Sequence, residues 1–266
     1  MGGRASPDLA FFPFESPPNR GKVGGSCSPA FDPIAAASLL RVGANVAEIW
    51  RYPVKSMAGE KLDSAELTDA GLDGDRRWAL VDGTQNRAGK VLTIRQDERL
   101  MTYRARMKGD GVEVVTPEGQ TRDLDDELVW GIARQNGRPL SLRDLAGANY
   151  DDSPVLVVNM ATVAAFELEA RIHVDHRRFR ANIYLEGLEP EEELRWLGRN
   201  IAVGGAVIEV TKRCERCVVI TRDPDTTSAS PDLLRILANT YETCMGVYCS
   251  VARPGKVSVG DLCGPV

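Results

Sequence analysis

The chain has 266 residues, with 33 Lys and Arg against 38 Asp and Glu, a formal net charge of −5. That balance speaks against a general nucleic-acid binder, which carries a basic excess, and no apolar run reaches the roughly 18–20 residues of a membrane span. Length alone allows just under two domains at about 150 residues each, large enough to bury a core without covalent staples. The six cysteines are therefore read as thiols or ligands of a cytoplasmic protein.

In residues 1–43, Pro7, Pro13, Pro17, Pro18, Pro29 and Pro33 interrupt nearly every possible element. No basic stretch leads into a continuous apolar core, so a secretory signal is not expected. The segment reads as a disordered tail or an over-long gene start. From Ala44 the texture is that of a β-protein. Strands are expected at Val46–Val54, Arg77–Asp82, Val91–Ile94, Thr102–Met107 and Val112–Thr116, with Gly83, Gly109, Gly111 and Gly119 marking turns. This spacing predicts a small barrel or meander. Residues 120–150 are more polar and less regular, the acidic run Asp123, Asp125, Asp126 and Glu127 reads as a solvated loop, and a domain boundary is placed near Asn149–Ser153.

The last third opens on a buried strand, Val155–Val158, after which Asn159 caps a helix through Ala164, Phe166, Leu168 and Ile172. Strands follow at Phe179–Leu185, on both sides of Gly204-Gly205 within Ile201–Thr211, and at Val218–Thr221. Pro231 opens a helix to Tyr241, and Val247–Arg253 with Lys256–Val259 completes the sheet. The fold class is α+β, dominated by β. Three parts are expected: a tail (1–43), a β-barrel-like domain (44–149) and a second domain (150–266). Trp50, Trp78, Trp130 and Trp196 read as core or interface packing. His173 and His176 read as a polar helix end, since no third ligand accompanies them.

Chemistry concentrates in Arg213-Cys214-Glu215-Arg216-Cys217. Flanking positive charge favours a thiolate, which is both nucleophile and metal ligand. Several readings compete: a pair of small apolar residues in a turn; a four-thiolate zinc site with Cys244 and Cys249, in a non-catalytic binding module; a thioredoxin-like dithiol; or a site assembled with residues elsewhere in the chain. The last rests on Tyr52-Pro-Val-Lys-Ser56, Gly74-Asp-Arg-Arg-Trp78, Arg178-Phe-Arg-Ala-Asn182, Cys217 followed by Asp223-Pro-Asp-Thr226, Gly246-Val-Tyr248 and Val259-Gly-Asp261. In this order they resemble the MOSC-domain family, the C-terminal fold of molybdenum cofactor sulfurase preceded by an N-terminal β-barrel domain. The nearest branch is that of the mitochondrial amidoxime-reducing component and its bacterial relatives. The resemblance covers residues 44–266.

It implies a C-terminal MOSC β-barrel (pyruvate-kinase-barrel-like) with a few helices, and a molybdenum cofactor (Mo-molybdopterin). Cys217 matches the molybdenum ligand and catalytic position, and Arg216 the cofactor contact before it. Lys55, Ser56 and Arg76 match positions that hold the pterin phosphate. Arg180 and Asn182 match those that read the pterin, and Asp152, Ser153 and Tyr248 line the site. Such a set is chemically coherent, because a phosphate of about two negative charges calls for Arg and Lys and a thiolate suits a soft metal. The chain departs from the family pattern at Ala181 (often Pro), Glu215 (often Ser) and Thr227 (often Gly).

The implied activity is reduction of small N-hydroxylated compounds. No Gly-x-Gly-x-x-Gly fingerprint or ferredoxin-type cysteine run is present, so electrons are expected from a separate donor (a ferredoxin, a cytochrome b5-like protein or a flavin reductase). Fused sulfurases of the family carry a pyridoxal-phosphate desulfurase domain, which is not expected at this length. The alternative is a sulfur carrier or cofactor-delivery protein with a persulfide on Cys217 or Cys214.

Overall fold

The computed structural model describes residues 43–145 and 149–266; the expected tail lies outside them apart from Gly43. The strands are β1 (Ala44–Arg51), β2 (Glu60–Leu62), β3 (Ser64–Thr68), β4 (Gly71–Leu72), β5 (Trp78–Asp82), β6 (Lys90–Val91), β7 (Arg104–Lys108), β8 (Gly111–Val115) and β9 (Thr121–Asp123). After them come β10 (Leu140–Asp144), β11 (Val155–Asn159), β12 (Ile183–Glu186), β13 (Asn200–Val203), β14 (Ala206–Glu215), β15 (Cys244–Arg253), β16 (Gly255–Ser258) and β17 (Leu262–Pro265). The α-helices among the described residues are α1 (Asp126–Asn136), α2 (Met160–Ala170) and α3 (Asp232–Tyr241).

The largest sheet runs β12-β11-β15-β14-β13-β17-β1-β2, and a further β12–β1 pairing closes its first seven strands into a barrel. Closure leaves those strands without a free edge. The first described strand thus sits between the last strand and β12, where Ile49 faces Ile183. Inward-pointing Val46, Ile49, Val155, Val157, Ile201, Ile208 and Val247 fill the barrel. Three smaller sheets, β10-β5-β6, β16-β3-β4 and β7-β8-β9, complete the β content. A separate core of Met57, Leu80, Leu92, Leu100, Val114, Val129 and Ile132 joins strands of the first half to α1. A third cluster seals α2 and α3 onto the outside of the barrel through Phe166, Phe179, Tyr184, Leu233 and Leu237.

Several sequence expectations change. Residues 120–150 hold a helix: Asp125 caps it through the Leu128 N–H (2.8 Å), Asp126 and Glu127 occupy its first turn, and Gly137 ends it with φ of 64°. Asp125, Asp126 and Glu127 are thus a helix start, favoured by the dipole, with only Leu128, Val129 and Ile132 turned inward, while Asp123 ends β9. Of Val91–Ile94 only Val91 is strand, as the second residue of β6, and Phe179–Leu185 is strand only from Ile183, after a 3-10 turn over His176–Phe179. Val218–Thr221 is a 3-10 turn, while β14 continues past Thr211 to Glu215. Asn159 does cap α2, but Leu168 and Ile172 face solvent, as does Trp130, which carries Arg134 on its ring at 4.6 Å.

Candidate functional site

Local backbone geometry gathers the site residues. After β1, the Trp78 N–H donates to the Pro53 carbonyl and the Trp78 carbonyl accepts from the Lys55 N–H, and the Ser56 hydroxyl receives the Ile94 N–H at 3.2 Å. Asp75 accepts the Tyr52 N–H at 2.7 Å and pairs with Arg76. On the other side, the 3-10 turn His176–Phe179 ends at Arg180. Asn182 is buried, its amide accepting the Leu156 N–H at 3.1 Å and donating to the Trp50 carbonyl at 3.3 Å. Ser56, Arg76 and Arg180 hold φ of 75°, 47° and 53°, the left-handed region that costs a non-glycine residue about 1–2 kcal/mol. Strain of this kind clusters where function fixes a side chain. Thr227, one of the departures expected from the resemblance, also stands at φ 61°.

All ten positions named from the resemblance, Lys55, Ser56, Arg76, Asp152, Ser153, Arg180, Asn182, Arg216, Cys217 and Tyr248, line one cavity of about 380 Å³. The structure adds Arg95, Asp151, Lys212, Arg213 and Glu215 to its wall. Arg95 is the addition with most chemical consequence: its Nη2 donates to the Cys217 sulfur at 3.3 Å, and it lies 3.9 Å from Asp151. Arg95 belongs to a short irregular segment, and nothing in its periodicity singled it out.

Seven cationic side chains and three carboxylates line this cavity of a chain whose net charge is −5. Lys55 donates to the Asn149 carbonyl and to Asp151. Burial holds Lys55 below the ordinary ammonium value, Asp151 opposes this, and Arg76 and Arg180 add to it. Burial would raise the Asp151 carboxyl, but Lys55, Arg76 and Arg95 outweigh it and hold the group below the usual range. Arg180 is pushed down to about 10, first by burial, then by Arg76 against the opposing Tyr52. Burial likewise pushes the Tyr52 phenol up to about 12. Its ring is therefore neutral at pH 7, so Arg76 and Arg180, at 4.9 and 4.4 Å from its centre, meet a π face there and not a phenolate.

Around the thiols, Arg216 donates to the Cys214 sulfur at 2.8 Å and to the Phe179 carbonyl, leaving its buried Nε without a partner. Cys214 is buried at the end of β14 and Cys217 is half-buried at the cavity wall. Burial and the neighbouring Cys214 raise the Tyr248 phenol above its ordinary value. The four-thiolate zinc set does not assemble. Cys249 packs inside the barrel core with Cys263, whose thiol burial raises to about 12. Among the described residues no group of three or more His, Cys, Asp or Glu is placed to hold a metal ion. His173 reaches Glu167, and His176 reaches Glu48. What the cavity can accommodate is an anion deep among the arginines, with a soft metal at the sulfur of Cys217. The unpartnered Arg216 Nε and the surplus of cations fit a phosphate-bearing group of that kind.

Comparison with known proteins agrees with the architecture. The family model "MOSC N-terminal beta barrel domain" matches residues 43–170, and "MOSC domain" matches 143–263. The chain is 25% identical to human mitochondrial amidoxime-reducing component 1, over 86% of this chain and 85% of that protein. It is 27% identical to the molybdenum cofactor sulfurase of Drosophila mojavensis, over 75% of this chain but 31% of the sulfurase. Among solved structures, the YUAD protein from Bacillus subtilis aligns over 83% of this chain and 93% of its own, at 14% identity and a TM-score of 0.48. No helix among the described residues is long and apolar enough to cross a membrane.

Proposed function

The chain belongs to the MOSC family, and from that premise we propose that it holds a molybdenum–molybdopterin cofactor in this cavity and reduces N-hydroxylated compounds such as amidoximes and hydroxylamines. One observation carries the reading: residues from separate stretches of the chain, Lys55 to Tyr248, converge on a single cationic cavity with the Cys217 thiol in its wall. When bound, the cofactor supplies the two-electron chemistry that removes oxygen from an N–O group.

The chain's own residues bind, orient and exclude. Lys55, Ser56 and Arg76 would hold the phosphate, the two cations by charge and Ser56 by its hydroxyl. Arg180, Asn182, Asp152, Ser153, Arg216 and Tyr248 would fix the pterin, and Cys217 would bind the metal through sulfur. Because Asn182 is locked by the Leu156 and Trp50 backbones, it would present its amide without further ordering. Arg95, half exposed and donating to Cys217, would donate to an oxygen of the incoming substrate. Glu215 puts a carboxylate on the same wall and would disfavour anionic substrates. Electrons would come from a separate donor protein.

The test is molybdenum and pterin content of protein purified from a cofactor-replete host, followed by dithionite-driven benzamidoxime reduction. Stoichiometric metal with turnover is expected, and Cys217→Ala should abolish turnover. Amidoxime reduction retained by a cofactor-loaded Cys217→Ala protein would sink the assignment. Metal-free protein bearing a cyanolysable sulfur on Cys217 would instead identify a sulfur carrier, a role that the Arg95-supported, half-buried thiol also suits.

A further inference from the structure

A second cavity, of about 340 Å³, shares Arg180 with the first. Its size falls within the roughly 300–1,000 Å³ range of small-molecule sites. One wall is aromatic: the Trp50 and Tyr52 rings lie 21° from parallel with centroids 6.4 Å apart, and Met101 adds apolar surface. Gly59 is needed for that wall, since a Cβ there would meet the Arg51 carbonyl oxygen at 2.3 Å and the Tyr52 ring at 2.6 Å. The Tyr52 hydroxyl is buried and lacks a hydrogen-bond partner.

The polar side of this cavity is held in place from behind. Glu48 accepts from both the Trp50 indole N–H and the Lys61 ammonium, each at 2.6 Å. Asp225 accepts from Arg104 at 3.2 Å and from Arg177 at 2.6 Å. Among the lining residues, Lys61, Arg104, Arg177 and Arg180 outnumber the one carboxylate, Asp225. Lys61 and Arg104 remain more than half exposed, so their charge is reachable from solvent. The fixed face of Trp50, backed by the buried Tyr52 ring, selects a planar group, and the cation excess selects negative charge. Since the rings and cations are already tethered, little ordering entropy opposes binding.

We propose that this cavity is a second small-molecule site, one that takes a planar aromatic anion, with the ring on Trp50, which the buried Tyr52 backs, and the charge toward Lys61 and Arg104. It is tested by calorimetric titration of the full chain with 2-naphthoate and with its neutral isostere 2-naphthamide. One naphthoate per chain is expected, bound at least tenfold more tightly than the amide. The Lys61→Ala/Arg104→Ala double variant should erase that preference, Trp50→Ala should weaken both ligands about tenfold, and Arg95→Ala, in the first cavity, should change neither. Equal affinities, no saturable binding, a preference that survives the double variant, or loss of binding in Arg95→Ala would each overturn the proposal. The double variant decides the question even where Trp50→Ala fails to fold, because both of its side chains project into solvent.

Discussion

Arg76 and Arg180 on the floor of the first cavity, and Arg95 and Lys212 at its lip, are cations lining the same space, yet different things hold them. The Arg76 side chain is 12% exposed, pairs with Asp75 at 4%, and donates to the Arg180 carbonyl at 3.0 Å; Arg180 donates in turn to the Met57 carbonyl at 2.8 Å. At the lip, Arg95 is 44% exposed beside Cys217 and Asp151, and Lys212 is 51% exposed beside Asp152. Charges removed from water need their partners to remain folded, whereas solvent screens the lip. On the floor, then, the proposed recognition of an anion and the stability of the fold would rest on the same atoms. At the lip they would be separable, so that under the proposed function substrate preference could change there without cost to the fold.

The sharpest way to break this contrast is Arg76→Ala. It leaves the Asp75 carboxylate buried with only the Tyr52 N–H, and removing one partner of a buried pair typically costs about 3–5 kcal/mol. Urea unfolding of parent and variant should show a loss of that size, partly recovered when Asp75→Asn is added. A loss below about 1 kcal/mol would mean that the floor pair contributes no more than a surface one. Arg95→Ala and Lys212→Ala test the other half. Each should shift unfolding by no more than about 0.5 kcal/mol, as exposed substitutions usually do. If either matches Arg76→Ala, the separation of lip from floor fails.

How legible these features were in the sequence follows the same division. The α+β class, the strands around Gly204-Gly205 and the cap at Asn159 announce themselves through local pattern. The floor cations could be named because each sits in a short motif, although motif spacing carries no sign that Ser56, Arg76 and Arg180 would all take left-handed backbone. Arg95, Asp151 and Lys212 escaped notice because they reach the cavity from irregular segments or a strand face, and their meaning comes only from what the fold sets opposite them. A barrel was expected from the resemblance, but which strands close it was hidden, since the β1–β12 pairing joins residues well over a hundred positions apart. Helix α1 was missed for a local reason: its first turn is acidic and only three of its residues face inward, so capping chemistry resembled a loop. In the other direction, the apolar run Val218–Thr221 imitates a strand, but Cys217 and Thr221 close it into a turn through their backbone and hydroxyl bonds.

The smallest expected effect concerns Asp225, which ties Arg104 of the first half to Arg177 next to the floor. Hydrogen bonds from Arg177, with Arg177 and Arg104 charges behind them, hold the Asp225 carboxyl below its ordinary value of 3.8. The folded state thus prefers the ionised form. The stabilisation from Asp225 is present above pH 3.8 and is lost as pH falls through the lowered folded value. Asp225→Asn removes the titration, so thermal midpoints of parent and variant should differ most near pH 6 and converge below pH 3.8. With the pair 32% and 42% exposed, the gap should stay within about 1 kcal/mol. A gap that persists unchanged at pH 3 would show that Asp225 acts through packing and neutral hydrogen bonds. Convergence would place this link with the lip, as an electrostatic tether that salt can loosen, while the floor pair keeps its strength at any ionic strength the fold survives.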